Sequence, residues 1–179
     1  LDIFDLYNFT VDENEELDVE ISIDPEMLGR VFENLLDENI KKQGGTFYTP
    51  RAIVQYMCEE SIINFLINKK FTNISTEDLI NFVKDPNFKI SNKKNFLQIS
   101  NKLDTLLSNI KICDPAMGSG AFAVSIMSLV VKLRVKLADY VDRKYKNSIY
   151  YFKRDFIQNN IYGVDIDESA VEITKLRLW

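Results

Sequence analysis

The stretch from Ile110 to Phe122 reads I-K-I-C-D-P-A-M-G-S-G-A-F, and the rest of the chain is organised around it. A short apolar run ends in Asp114-Pro115, crosses Ala116-Met117 and turns through Gly118-Ser119-Gly120. The segment that follows, 121–141, is rich enough in Leu, Val, Ile and Met to predict a buried helix. Strand, Gly-rich turn and helix together open a nucleotide-binding α/β unit. Glycines suit the turn because a Cβ would block both the tight bend and a ligand's close approach. The exposed N–H groups at the start of the helix favour a ligand carrying negative charge.

Two glycines after a strand also occur in tight βα turns that bind nothing. The spacing Asp-x-x-x-Gly-x-Gly is sharper, because it places an acid at the strand end. The absence of Gly-Lys-Ser/Thr excludes a P-loop. The stretch resembles motif I of the amino-methyltransferases acting on DNA, usually D-P-A-C-G-S-G-x-F, with Met117 in place of the Cys. Methionine is a soft apolar substitute that such a pocket is expected to tolerate. The resemblance implies S-adenosylmethionine as cofactor, held by Asp114, Pro115, Ala116, Gly118, Ser119, Gly120 and Phe122. An acid at the strand end suits that molecule, which carries an ammonium and a sulfonium.

A length of 179 residues is one domain or part of a larger one, and 46% apolar residues suffice for a sizeable core. Leu1 and Trp179, the latter inside an apolar helical pattern, are expected to be cut ends of a longer protein. No run reaches the ~20 apolar residues of a membrane helix, and no signal peptide is visible. With no histidine and only Cys58 and Cys113, the chain holds neither a zinc site nor a Ser-His or Cys-His arrangement. Both cysteines sit among apolar neighbours and are expected to be buried thiols of a cytoplasmic protein. The net charge of −5 hides an asymmetry, since residues 1–40 hold thirteen acids against Arg30 alone. The remainder holds fourteen acids against twenty-one Lys and Arg, a balance compatible with a nucleic-acid partner and equally with a solvated surface.

Taken in order, residues 1–23 alternate weakly, as two short strands or an extended arm. Asp24-Pro25 opens a helix with the core stripe Leu28, Val31, Phe32, Leu35 and Leu36. After the Gly44-Gly45 loop, Thr49 is expected to cap a second helix with Pro50 in its first turn. The predicted core stripe of that helix is Ile53, Val54, Met57, Cys58, Ile62, Phe65 and Leu66. Residues 68–109 read as a helical connection. Ser75 or Thr76 caps a helix through Val83, the stretch 89–95 is an exposed loop, and Phe96, Ile99, Leu103, Leu106 and Leu107 share one face of a further helix. A charged, Tyr-rich helix is expected from Arg143 to Asn160, then a short strand from Ile161 with an acid at its tip, and a helix from Glu168 with Asp167 as N-cap. An acid at the end of the second strand can bind ribose hydroxyls, which suits Asp165. Both aspartates can instead simply cap the last helix, and for Asp167 capping is the better account.

Two further phrases extend the resemblance. Gly45-Thr-Phe-Tyr-Thr-Pro50, about 65 residues before the Gly turn, is by itself a capped helix entry. It is also similar to motif X of the gamma-ordered N6-adenine methyltransferases, which closes over the methionine end of the cofactor, a role implied for Tyr48, Thr49 and Pro50. G-V-D-I-D-x-x-A-V-x-I-x-K-L-R-L-W resembles motif II of type IIG restriction–modification methyltransferases, where Asp165 would hold the ribose and Ile166 would pack on the adenine. The catalytic N-P-P-Y motif of that family has no counterpart, because the four prolines (25, 50, 86 and 115) are never adjacent.

The expectation is an α/β chain, a partial Rossmann-like fold of an S-adenosylmethionine-dependent methyltransferase with an N-terminal helical section. Residues 1–45 form an acidic arm and helix, and 46–179 the cofactor-binding part, truncated before the catalytic motif. The parent enzyme would methylate adenine N6 in double-stranded DNA with no metal and no membrane, while this chain alone would transfer nothing. The alternatives are an amino-methyltransferase acting on RNA or protein, or a non-catalytic interaction module of the same fold.

Overall fold

The computed structural model describes residues 49–72, 74–85, 93–138, 140–141 and 148–178. The arm and helix expected over residues 1–45, with the Gly44-Gly45 loop, and Tyr48 lie outside the described residues. Within them run α1 (Arg51–Asn68), α2 (Thr76–Lys84), α3 (Lys93–Asn109), β1 (Ile112–Asp114), α4 (Ala121–Lys136), α5 (Ile149–Asn159), β2 (Ile161–Gly163) and α6 (Glu168–Leu178). The architecture is mostly helical, around a small parallel sheet in which Ile112 pairs with Ile161, Cys113 with Tyr162 and Asp114 with Gly163.

Local signals account for the helix ends. Ser75 caps α2 by accepting from Asp78 N at 3.0 Å, and its hydroxyl donates to Asp78 Oδ2 at 2.8 Å. Glu77 and Asp78 in the first turn and Lys84 in the last oppose the helix dipole favourably. The residue after Asp85 is Pro86, which favours the extended backbone seen at Asp85 (φ −86°, ψ 116°). Ser148 caps α5 by accepting from Tyr151 N at 3.2 Å. The start of α1 differs by one residue from expectation: Pro50, not Thr49, occupies the N-cap, and its carbonyl accepts from Ile53 N and Val54 N.

The buried helix α4 carries the core. Ile126, Met127, Val130, Val131 and Leu133 are all buried, and α1, α3, α5 and α6 pack around it. Three polar side chains tie this packing together. Arg134, buried in α4, pairs with Asp104 of α3 at 3.2 Å and Asp155 of α5 at 2.9 Å, and its guanidinium lies 4.5 Å from the Phe152 ring centre. A buried charge is tolerated because it is paired on both sides. Lys136 donates to the carbonyls of Phe82 (2.9 Å) and Asp85 (2.6 Å), closing the open end of α2 against α4. Burial, with Lys132 nearby, lowers its ammonium pKa, against the pull of Asp85. The Asn160 side chain donates to the Ser108 and Ile110 carbonyls at 2.8 and 2.7 Å, while its backbone carbonyl accepts from Ile112 N. That fixes the end of α3 and the start of β1 beside β2.

Several expectations are corrected. On α1, Ile53 and Met57 are 50% and 48% exposed, because the buried face follows Val54, Cys58, Ile62 and Leu66. Each exposed residue lies one position back, ~100° around the helix. Cys113 is exposed: with its register partner Tyr162 it faces away from the layer formed by the described helices. α3 begins at Lys93, inside the stretch expected to be loop. α4 ends at Lys136 rather than Val141, though Leu137, Ala138 and Val141 stay buried in the tight turn that follows. Apolar content marks burial in a turn as readily as in a helix. The second strand ends at Gly163, and α5 starts at Ile149.

Candidate functional site

The two strands end side by side, and the Gly-rich turn lies across their C-terminal edge. Val164 N donates to Asp114 O and Met117 N to Val164 O, both at 3.0 Å, so the parallel ladder continues past the strands into the turn. Asp114 Oδ1 accepts from Ala116 N at 3.1 Å, an Asx turn that folds Pro115-Ala116 over the strand end. Gly120 N then closes on Met117 O at 3.0 Å. Gly118 (φ +55°) and Gly120 (φ +83°) both adopt left-handed backbone, which ordinary residues resist.

Gly120 is also the N-cap of α4, and having no side chain it caps nothing. The first-turn N–H groups of α4 therefore have no side-chain acceptor from their cap, the arrangement that attracts an anionic group. Asp114 Oδ2 is buried with no hydrogen-bond partner among the described residues. A buried carboxylate oxygen without a donor is costly, and a cationic ligand would satisfy it. An acceptor for a cation and a helix start suited to an anion thus adjoin on one turn. A Cβ built on Gly118 meets nothing within 4 Å, so the turn is open at that point.

Asp165 stands just beyond β2. Its Oδ2 accepts from Gly118 N at 2.6 Å and its Oδ1 from Asp167 N at 2.9 Å, so it braces the glycine turn from the second strand. Asp167 caps α6, accepting from Ser169 N at 2.9 Å through its side chain. Ile166, between them, is 98% exposed.

Asp114, Pro115, Ala116, Gly118, Ser119, Gly120, Asp165 and Ile166 are therefore gathered at one edge of the sheet. Phe122 is half-buried and packs against the core. Thr49 and Pro50 stand at the start of α1, two turns before Cys58. Burial pushes the Cys58 thiol up to about 11, with help from the charges of Glu59 and Asp114. Tyr48 lies outside the described residues.

Two residues of the site escape sequence reasoning. Thr174 Oγ1 donates to Gly118 O at 2.8 Å, and Arg177 Nη1 donates to Ser119 O at 2.5 Å, with Ser119 Oγ at 3.4 Å. Met117 lies against Gly163 so closely that a Cβ there would fall 1.9 Å from its Cε. The available signal was the i, i+3 spacing of Thr174 and Arg177, which puts them on one face of α6. Among the described residues no group of three or more His, Cys, Asp or Glu could hold a metal ion, and no helix is long and apolar enough to cross a membrane.

Residues 88–179 match the family described as MmeI, DNA-methyltransferase domain. The chain is also 34% identical, over 190 aligned positions, to a putative type II restriction enzyme and methyltransferase of Methanocaldococcus jannaschii. That alignment covers the whole of this chain and 16% of the relative.

Proposed function

Because the chain belongs to the family of MmeI DNA-methyltransferase domains, we propose that it is the S-adenosylmethionine-binding part of a restriction–modification enzyme that methylates adenine N6 in DNA. The observation that carries this is the buried Asp114 Oδ2, without a hydrogen-bond partner among the described residues, beside the start of α4, whose Gly120 cap offers no side-chain acceptor. The cofactor's amino-acid end carries an ammonium and a carboxylate on one carbon, and these two features match them in turn.

Each residue then has a role. Asp114 accepts from the ammonium, and the first turn of α4 receives the carboxylate. Asp165 has each oxygen engaged by one backbone N–H, and a carboxylate's remaining lone pairs can still accept from ribose hydroxyls. Ile166 offers an uncovered apolar surface to the adenine. Tyr48, Thr49 and Pro50 close over the methionine end, as the resemblance to motif X implies. When bound, the cofactor supplies an electrophilic methyl group. The parallel β1–β2 pair joined through α4 and α5 supports a Rossmann-like sheet, of which residues 46–179 hold one part. This reading puts the groups that grip the adenine amino group outside residues 1–179, which contain no Pro-Pro pair. It makes double-stranded DNA the partner of the whole protein and the cytoplasm its place of work.

The test is calorimetry on the full-length protein with S-adenosylhomocysteine, followed by methyl transfer from labelled cofactor. Asp114→Asn and Asp165→Ala should each weaken binding by about 1–3 kcal/mol. Wild-type affinity in both variants would remove the two acids from the site. Label recovered in RNA, protein or another base, with none in N6-methyladenine, would refute the substrate.

A further inference from the structure

The glycine turn is held from one side by a single helix. α6 begins at the Asp167 cap, beside the acid assigned to the ribose, and two turns later its side chains reach the turn. Thr174, 3% exposed, donates to Gly118 O, and Arg177 donates to Ser119 O. Thr174 also fills the space beside Gly120, where a Cβ would come within 2.8 Å of its Cγ2 and Oγ1. Successive carbonyls of the turn are therefore gripped by neighbouring side chains on one face of α6.

The consequence follows from peptide geometry. In a trans peptide the N–H points away from the C=O of the same plane, and no cis bond occurs among the described residues. Holding Gly118 O toward Thr174 turns the Ser119 N–H to the opposite side of the loop. Asp165 fixes the preceding N–H, that of Gly118, at 2.6 Å. The loop is thus set by α6 and by the segment entering it, and it is open where Gly118 meets no neighbour.

We propose that Thr174 and Arg177 are positioning residues, which hold the Gly118 and Ser119 carbonyls and so set the conformation of the turn that receives the amino-acid end of the cofactor. The inference rests on the cofactor reading above and adds that α6 couples the ribose end of the site to the methionine end. It assigns the two residues no contact with the ligand.

Two measurements on the full-length protein test it. The first is hydrogen exchange followed by mass spectrometry on peptides spanning Gly118–Gly120. Thr174→Val keeps the shape of the side chain and removes the donor, and exchange there should rise roughly tenfold, the equivalent of one hydrogen bond. The amides around Val130 and Val131 of buried α4 report global stability and should stay as protected as in the wild type. Thr174→Ser and Arg177→Lys, which keep a donor, should restore most of the protection. The second compares S-adenosylhomocysteine with 5′-methylthioadenosine, which lacks the amino-acid end. Thr174→Val and Arg177→Ala should weaken the first roughly tenfold and the second no more than about twofold. Equal losses for both ligands, or unchanged exchange at Gly118–Gly120, overturn the proposal. Should the wild type bind neither ligand, the cofactor reading falls, and the exchange result alone decides whether α6 holds the turn.

Discussion

Gly118 and Gly120 both have positive φ, yet alanine at the two positions should behave differently. Gly118→Ala meets open space and incurs only the left-handed backbone penalty, about 1–2 kcal/mol. Gly120→Ala incurs the same penalty and also drives its methyl into Thr174, 2.8 Å away. Thr174 is buried and β-branched, so it has little rotamer freedom with which to yield. Displacing it forfeits the bond to Gly118 O, about 1 kcal/mol, and adds overpacking of about 1–3 kcal/mol. The total for Gly120→Ala is then about 3–6 kcal/mol. Urea unfolding of both variants, repeated in a Thr174→Ala background, gives a double-mutant cycle. In that background Gly120→Ala should fall to nearly the level of Gly118→Ala. Equal destabilisation by the two single alanines, or a penalty at Gly120 that survives removal of Thr174, would refute the argument that Thr174 makes the close approach.

Three more outcomes are expected. Arg134→Ala removes the buried cation shared by Asp104 and Asp155 and should destabilise by about 3–5 kcal/mol in urea titration. Cys58 keeps its proton in the folded state up to about 11, above the ordinary thiol value of 9.0, so the native protein holds more protons than the unfolded chain across that window. Its contribution is complete below the ordinary value and is lost as pH rises through the window, by roughly 2–3 kcal/mol, read as the difference between wild type and Cys58→Ala. Iodoacetamide at neutral pH should alkylate exposed Cys113 and leave buried Cys58 unmodified, as peptide mass spectrometry would show.

The parts legible in the sequence are those fixed by nearby residues. Ser75 meets its capping partner three positions on, and the stripe of Phe96, Ile99, Leu103 and Leu107 follows helical spacing along α3. The acid and glycines of 114–120 are likewise close neighbours, so their arrangement around one turn could be anticipated. Burial that depends on a distant neighbour could not. Ile53, Met57 and Cys113 are as apolar as the residues beside them, and only the placement of other helices leaves them uncovered. Asp165 could be assigned to the site, but its bond to Gly118 N joins residues 47 apart, which no local pattern encodes. The roles of Thr174 and Arg177 were hidden for the same reason, since helical spacing names a face and not what the face touches.

The grip of Arg177 on Ser119 spans 58 positions, and that of Thr174 on Gly118 spans 56. During synthesis at roughly 5–20 residues per second, the glycine turn therefore waits some 3–12 s before the side chains that shape it are added. Asp165, which braces the turn, is itself 47 positions beyond Gly118 and follows β2, so for most of that interval β1 lacks its parallel partner and the turn its brace. The candidate site is accordingly among the last parts of this region to become whole, and a ribosome that stalls before Thr174 leaves a nascent chain with the glycines in place and no α6 side chain to hold their carbonyls. On the proposed reading of the site, ligand capture would then mark the completion of the segment through α6.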